Sequence, residues 1–196
     1  MSILLIAGSP SAPSRSSRLL QYAAEQLALR GQRTTTLEVR TLPAQALVHA
    51  EFGNAGLKAA QALVAEADAV IIGTPVYKAA YSGLLKSFLD ILPQDGLAGK
   101  LVLPLATGGS QSHMLALDYA LRPVLSSLSA RHVLPSIYAT DAQVIWSEEN
   151  GLSIDPAILA RLTTGIDSLT ASLLALQEAA VTEYEPVHFS QVRCSV

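Results

Sequence analysis

Charge is scarce in this sequence: Asp, Glu, Lys and Arg make up 15% of the residues, and the net charge at neutral pH is -3. A face that grips a nucleic acid backbone needs clustered Lys and Arg, so DNA and RNA are excluded as partners. Cysteine is scarcer still. Cys194 stands alone, which excludes a disulfide within the chain, a CxxC redox pair and a cysteine zinc site; near the C-terminus it reads as an inert thiol. No apolar run reaches the ~18 residues of a membrane span. The first run, in "MSILLIAGS", is too short for a signal peptide and has no basic residue before it, so a cytoplasmic protein is expected. The four histidines, His49, His113, His132 and His188, have neither metal nor triad spacing and read as surface or structural groups. Neither GxxxxGK nor GxGxxG occurs, which argues against a nucleoside triphosphate site and a Rossmann dinucleotide site.

Core-forming residues, in contrast, are abundant. Half of the 196 residues are hydrophobic, which suits one sizeable domain and leaves apolar surface for a subunit interface. The runs at 2–7, 70–75 ("VIIGTP") and 101–109 ("LVLPLATGG") are continuously apolar and end in small residues, the pattern of strands buried on both faces of a parallel sheet. "TTTLEV" at 34–39 supplies a more alternating strand, and "RHVLPSIYA" at 131–139 a fifth, bent or broken at Pro135. Helical periods lie between them: Leu19, Leu20, Ala23, Ala24 and Leu27; Leu57, Ala60, Leu63, Val64 and Ala67; Leu84, Leu85, Phe88 and Leu89. A last helix is expected from Asp155, as N-cap before Pro156, to about Glu178. The expectation is a three-layer α/β domain over residues 1–180 and a tail over 181–196 that is loose or draped over a neighbour.

Ligands of open parallel sheets lie beyond the carboxyl ends of the strands, and three polar segments fall there. "GSPSAPSRSS" brings Ser9, Arg15, Ser16 and Ser17 to a helix expected to begin near Leu19, where free backbone N–H groups and the helix dipole favour an anion. A phosphate monoester fits this set; on this segment alone, Ser16 as a simple N-cap and Arg15 as a solvated loop residue fit equally well. "TPVYKAAYSG" brings Pro75 to direct the backbone, Val76, the aromatic face of Tyr77, the cation of Lys78, and Gly83 for a close turn. In "TGGSQSH", Thr107, Gly108, Gly109 and Ser110 let a flat ring approach the main chain and its N–H donors, or form an ordinary strand-to-helix turn.

These stretches, with "TPVYKAAYSGLLKSFLDILP" and "KLVLPLATGGSQSHMLALDYALRPVL", resemble the NADPH-dependent FMN reductases of the flavodoxin-like superfamily, above all the reductase components of two-component alkanesulfonate monooxygenases. The resemblance covers roughly residues 1–145. It implies a five-stranded parallel sheet in the order 2-1-3-4-5 with helices on both faces. It also implies that Ser9, Arg15, Ser16 and Ser17 take the FMN phosphate, that Pro75, Val76, Tyr77 and Lys78 flank the isoalloxazine, and that Thr107, Gly108, Gly109 and Ser110 bind its far edge. FMN and NADPH are the implied cofactors, a flavin-dependent monooxygenase the implied recipient of reduced FMN, and a dimer or tetramer the implied assembly, with the faces at Leu84–Leu92 and Leu115–Leu128 expected to pair. Competing readings are an FMN-retaining quinone or azo-dye reductase, a flavodoxin-like carrier without a nicotinamide site, and a binding module without a redox role. Arg18 and Lys78 are the candidates for the coenzyme 2′-phosphate.

One local conflict stands out. Leu117, Leu121, Val124, Leu125 and Leu128 fit a single helix, yet Pro123 within it has no N–H to donate to the carbonyl of Tyr119. Either the helix kinks or a π-bulge around Asp118–Arg122 repairs the ladder. In the resembling reductases an inserted tyrosine makes a π-helix at the tetramer interface, and Tyr119 matches it.

Overall fold

Successive residues of a strand point to opposite faces, so a strand that is apolar throughout needs helices on both sides. The computed structural model describes residues 2–181. Its first half runs β1 (Ser2–Ala7), α1 (Arg15–Leu29), β2 (Arg33–Glu38), α2 (Ala44–Val48), α3 (Ala55–Glu66), β3 (Ala69–Tyr77), β4 (Ala80–Tyr81) and α4 (Gly83–Asp90). Its second half runs β5 (Leu101–Gly108), a π-helical turn (Leu117–Leu121), α5 (Arg122–Ser127), β6 (His132–Val133), β7 (Ile137–Thr140), β8 (Val144–Ser147), β9 (Gly151–Ile154) and α6 (Pro156–Val181). The tail over 182–196, with His188 and Cys194, lies outside the described residues.

The main strands are parallel in the order β2-β1-β3-β5-β6, with β7 resuming beside β5 after the break at 134–136. Counting β6 and β7 as one interrupted strand gives 2-1-3-4-5, as the resemblance implies. Leu4, Ile6, Val70, Ile72, Val102 and Ala106 face a core closed by α3, α4 and α5. Ile3, Leu5, Ala7, Ile71, Leu103 and Leu105 face a second core closed by α1 and α6. Each fully buried aliphatic side chain contributes about 1.5–3 kcal/mol, and both faces of β1, β3 and β5 are occupied. Gly73 lets α1 settle this close: a β-carbon there would overlap the side chain of Leu20.

Four local features differ from or refine the sequence expectation. α1 begins at Arg15 rather than near Leu19, because extended Ser14 caps it by accepting the Ser17 N–H at 3.1 Å. The segment 144–154 forms the antiparallel β8–β9 hairpin, which the strand reading did not include. α6 starts as expected, with Asp155 Oδ1 accepting the Ala157 N–H at 2.9 Å. The Pro123 conflict is resolved by a π-turn: the Arg122 N–H reaches back five residues to the Leu117 carbonyl, so Pro123 falls in the first turn of α5, where no N–H is needed.

That π-turn also rearranges surface and core. Leu85, Phe88, Leu89, Leu117, Leu121 and Leu125 are consumed by the chain's own core, so the two apolar faces expected to pair between subunits are largely occupied from within. The apolar side chains left outward in this region are Met114, Leu115 and Tyr119, the last 79% exposed.

Candidate functional site

The strand order reverses its winding between β1 and β3, and ligand clefts in such sheets open at that point. A cleft of about 400 Å³ lies there, within the ordinary range for small-molecule sites. Ser9, Arg15, Pro75, Val76, Tyr77, Thr107, Gly108 and Gly109, all expected from the sequence, line it together. Ser16, Ser17, Lys78, Ser110 and Tyr119 are not among its walls. Ser16 is buried in the first turn of α1 and its hydroxyl lies 3.2 Å from that of Ser14. Ser17 receives the Ser14 hydroxyl at 2.8 Å. Both serines therefore brace the loop from behind, a consequence of the helix starting four residues earlier than the periodicity suggested.

The first wall, residues 9–18, is held by its own polar groups. Ser9 Oγ accepts the Ser11 N–H and donates to the Ser11 carbonyl, each at 3.2 Å, a small loop that turns the chain over the cleft. Arg15 pairs with Asp141 at 3.6 Å, with both side chains about half exposed. Such a pair is worth only about 0–1 kcal/mol, so the guanidinium can exchange it for a phosphate with little loss. Arg18 lies over the ring of Trp146, 3.9 Å from its centroid, and so ties the β8–β9 hairpin to this wall.

The second wall is held by buried groups. β3 and β4 form a hairpin whose two turn residues, Lys78 and Ala79, both have positive φ, at 51° and 62°. A two-residue turn of that kind suits the strand twist, but non-glycine residues adopt it at some strain. It carries Tyr77 to the cleft and leaves Lys78 at the tip. Gly83, expected to make the close turn, is instead the first residue of α4, with open space around it. What fixes this wall is Ser82: its hydroxyl caps the Leu85 N–H at 3.1 Å and donates to the Gly8 carbonyl, while its own N–H donates to Thr74 Oγ1 at 3.1 Å. One buried serine thereby joins the ends of β1, β3 and α4.

Gly108 completes the wall. A β-carbon there would sit 2.5 Å from the Tyr138 hydroxyl, which donates to the Ser110 carbonyl at 2.6 Å. Burial and the neighbouring Asp141 raise the Tyr138 pKa above the ordinary tyrosine value, against the opposing effect of the Ser110 hydrogen bond. The phenol stays a donor throughout the neutral range. The sequence reading missed Thr74, Ser82, Tyr138, Asp141 and Trp146. Ser82, directly before a helical period, carried an N-cap signal; "WSEENG" carried a turn signal for the hairpin. The contribution of Tyr138 depends on strand register and had no local signal.

The cleft thus offers an arginine and serine hydroxyls at one end and, at the other, a glycine-lined backbone edge beside Pro75, Val76 and Tyr77. That donor set fits the phosphate and flat ring of a flavin mononucleotide. Residues 1–144 match the family model of the NADPH-dependent FMN reductases. An FMN reductase (NADPH) of Pseudomonas putida is 51% identical over 76% of this chain and 75% of its own length. An FMN reductase (NADPH) of Escherichia coli is 43% identical over 88% of this chain and 90% of its own. The apo crystal structure of the NADH:FMN oxidoreductase EMOB superposes with a TM-score of 0.79 at 42% identity, covering 87% of this chain and 89% of that one. The chain belongs to the NADPH-dependent FMN reductases, oxidoreductases that use FMN and NADPH.

Proposed function

We propose that this reductase supplies reduced FMN to a partner flavin-dependent monooxygenase, in the cytoplasm and in the service of alkanesulfonate desulfonation and sulfur acquisition. The observation that carries the reading is the cleft itself, where an exchangeable Arg15 contact and an open mouth meet a rigid ring wall. When bound, FMN supplies the hydride-accepting ring and the reduced nicotinamide supplies the hydride, chemistry that needs alignment of two rings and no obligatory protein acid or base. Arg15, Ser9 and Ser11 hold the phosphate end. Pro75, Val76 and Tyr77 support one side of the ring, and Thr107, Gly108 and Gly109 offer main-chain contacts to its edge, with Lys78 at the hairpin tip and Ser110 following Gly109. Ser16 and Ser17 keep the phosphate loop in shape.

The chain acts as a homo-oligomer, a dimer or tetramer, in which Met114, Leu115 and Tyr119 lie on the π-turn face that meets its copy. Tyr119 on that turn keeps flavin retention weak enough for exchange. Deleting Tyr119 regularises the helix, slows FMN dissociation severalfold and suppresses transfer of reduced flavin; unchanged dissociation in a correctly assembled variant removes that role. The reading as a whole is tested by NADPH oxidation with and without added FMN. Saturable dependence on FMN by a colourless protein supports release. A yellow protein that needs no added FMN and reduces quinones or azo dyes supports the retaining enzyme instead.

A further inference from the structure

A phosphate monoester carries about −1.5 to −2 charges at neutral pH, more than Arg15 alone can offset. Arg15, Arg18 and Asp141 are the charged residues among the walls of the cleft. Arg15 and Asp141 already face each other at 3.6 Å, so the surplus positive charge of the cleft is that of Arg18. Arg18 stands three residues after Arg15 in the first turn of α1, on the same side of the helix. That turn holds no acidic residue, although the helix dipole disfavours cations there. Two arginines at this helix start are a local conflict that a bound anion relieves.

Arg18 differs from Arg15 in how it is held. Among the described residues its guanidinium has neither a carboxylate nor a hydrogen-bond partner; it lies over the ring of Trp146, 3.9 Å from the centroid. A carboxylate would occupy the N–H edge and neutralise the charge. An aromatic ring occupies only the face of the guanidinium, so the N–H groups in its plane stay free and the charge stays whole. β8 brings Trp146 to that place: Val144 is buried in the core shared with α1 and α6, and Trp146, two residues along the strand, is turned to the same side. Trp146 itself lines the cleft.

We propose that Arg18 is the second cation of the phosphate end, and that Trp146 is the positioning residue that presents the N–H edge of Arg18 to the phosphate. The proposal rests on the reductase reading above and gives Arg18 to the flavin phosphate rather than to the coenzyme 2′-phosphate. The two arginines then act differently: Arg15 leaves Asp141 to bind, whereas Arg18 binds with its ring contact intact.

The test is equilibrium titration of FMN, riboflavin and adenosine 2′,5′-bisphosphate into the parent, Arg18→Ala, Trp146→Ala, Trp146→Phe and the double variant Arg18→Ala/Trp146→Ala. Arg18→Ala weakens FMN at least about tenfold, the size of one charge-assisted contact. Trp146→Ala weakens FMN about two- to fivefold, the size of an exposed cation–π contact, and Trp146→Phe, which keeps an aromatic face, restores most of that loss. Riboflavin binds all five proteins alike, which also reports that the cleft is intact. The double variant binds FMN as Arg18→Ala does, because Trp146 acts through Arg18. Unchanged FMN affinity in Arg18→Ala overturns the proposal, as does an equal loss for riboflavin or a loss confined to the bisphosphate. Losses that add in the double variant overturn the positioning role of Trp146. If FMN fails to bind the parent, the reductase reading fails; if the parent and Arg18→Ala bind FMN equally well, only the assignment of Arg18 is lost.

Discussion

The two walls of the cleft at the β1–β3 reversal are built on opposite principles. Residues 10–15 are exposed or half-exposed, and the contacts of this wall are short-range serine turns, a half-exposed ion pair and an arginine lying on a tryptophan. Residues 74–82 and 107–110 are fixed from below by Thr74, Ser82 and Tyr138, all nearly inaccessible to solvent. On the proposed reading the first wall recognises charge and can exchange partners, while the second recognises shape and is tied to the core. The proposed release of reduced flavin is served by that division: the buried side sets ring geometry, and the solvated side sets residence.

The comparison predicts unequal responses to substitution. The largest effect on stability is expected at Ser82→Ala, which removes the cap of α4 and strands the Gly8 carbonyl. About 2–3 kcal/mol should be lost in chemical denaturation. A loss below about 0.5 kcal/mol would show that the second wall does not depend on this serine.

Tyr138→Phe comes next. It leaves the Ser110 carbonyl without its donor and should lower stability by about 1 kcal/mol, with FMN affinity falling and NADPH-independent properties unchanged. Its pH dependence has a defined sign. The folded-state pKa of Tyr138 lies above the unfolded value, so its contribution is fully present below the ordinary tyrosine pKa and is lost as pH rises through the folded value. The parent should lose stability in that alkaline window more steeply than Tyr138→Phe; parallel pH profiles would contradict the assignment.

The smallest effect belongs to the first wall. Asp141→Asn frees Arg15 from its carboxylate and should tighten FMN by less than about 1 kcal/mol, with the gain fading at high salt. A loss of affinity would mean that Asp141 positions Arg15 rather than competing for it.

Much of this arrangement was legible in the sequence, for identifiable reasons. β1, β3 and β5 announce themselves because both their faces are buried, which leaves no alternation to misread. Pro156 after Asp155 marked a helix start, and Pro123 marked a defect that only a π-turn or kink can absorb. The beginning of α1 was displaced because its first turn is polar: Ser16 and Ser17 conceal the helix from any apolar period, although Ser14 caps it. The β8–β9 hairpin was missed because its strands are short and half-exposed. Tyr138 comes to lie beneath Gly108, and Asp141 reaches the cleft, only through the register of β7 on β5, and no local pattern encodes that register.

The central claim is that the serine and arginine loop is a phosphate site and the opposite wall a ring site. It is tested most directly by equilibrium binding of FMN and of riboflavin, which lacks the phosphate, to the parent and to Arg15→Ala. FMN should lose about 1.5–3 kcal/mol of binding free energy, as for a charged hydrogen bond, while riboflavin binds both proteins alike. An equal loss for riboflavin and FMN would contradict the division of the cleft into a charge-reading wall and a shape-reading wall.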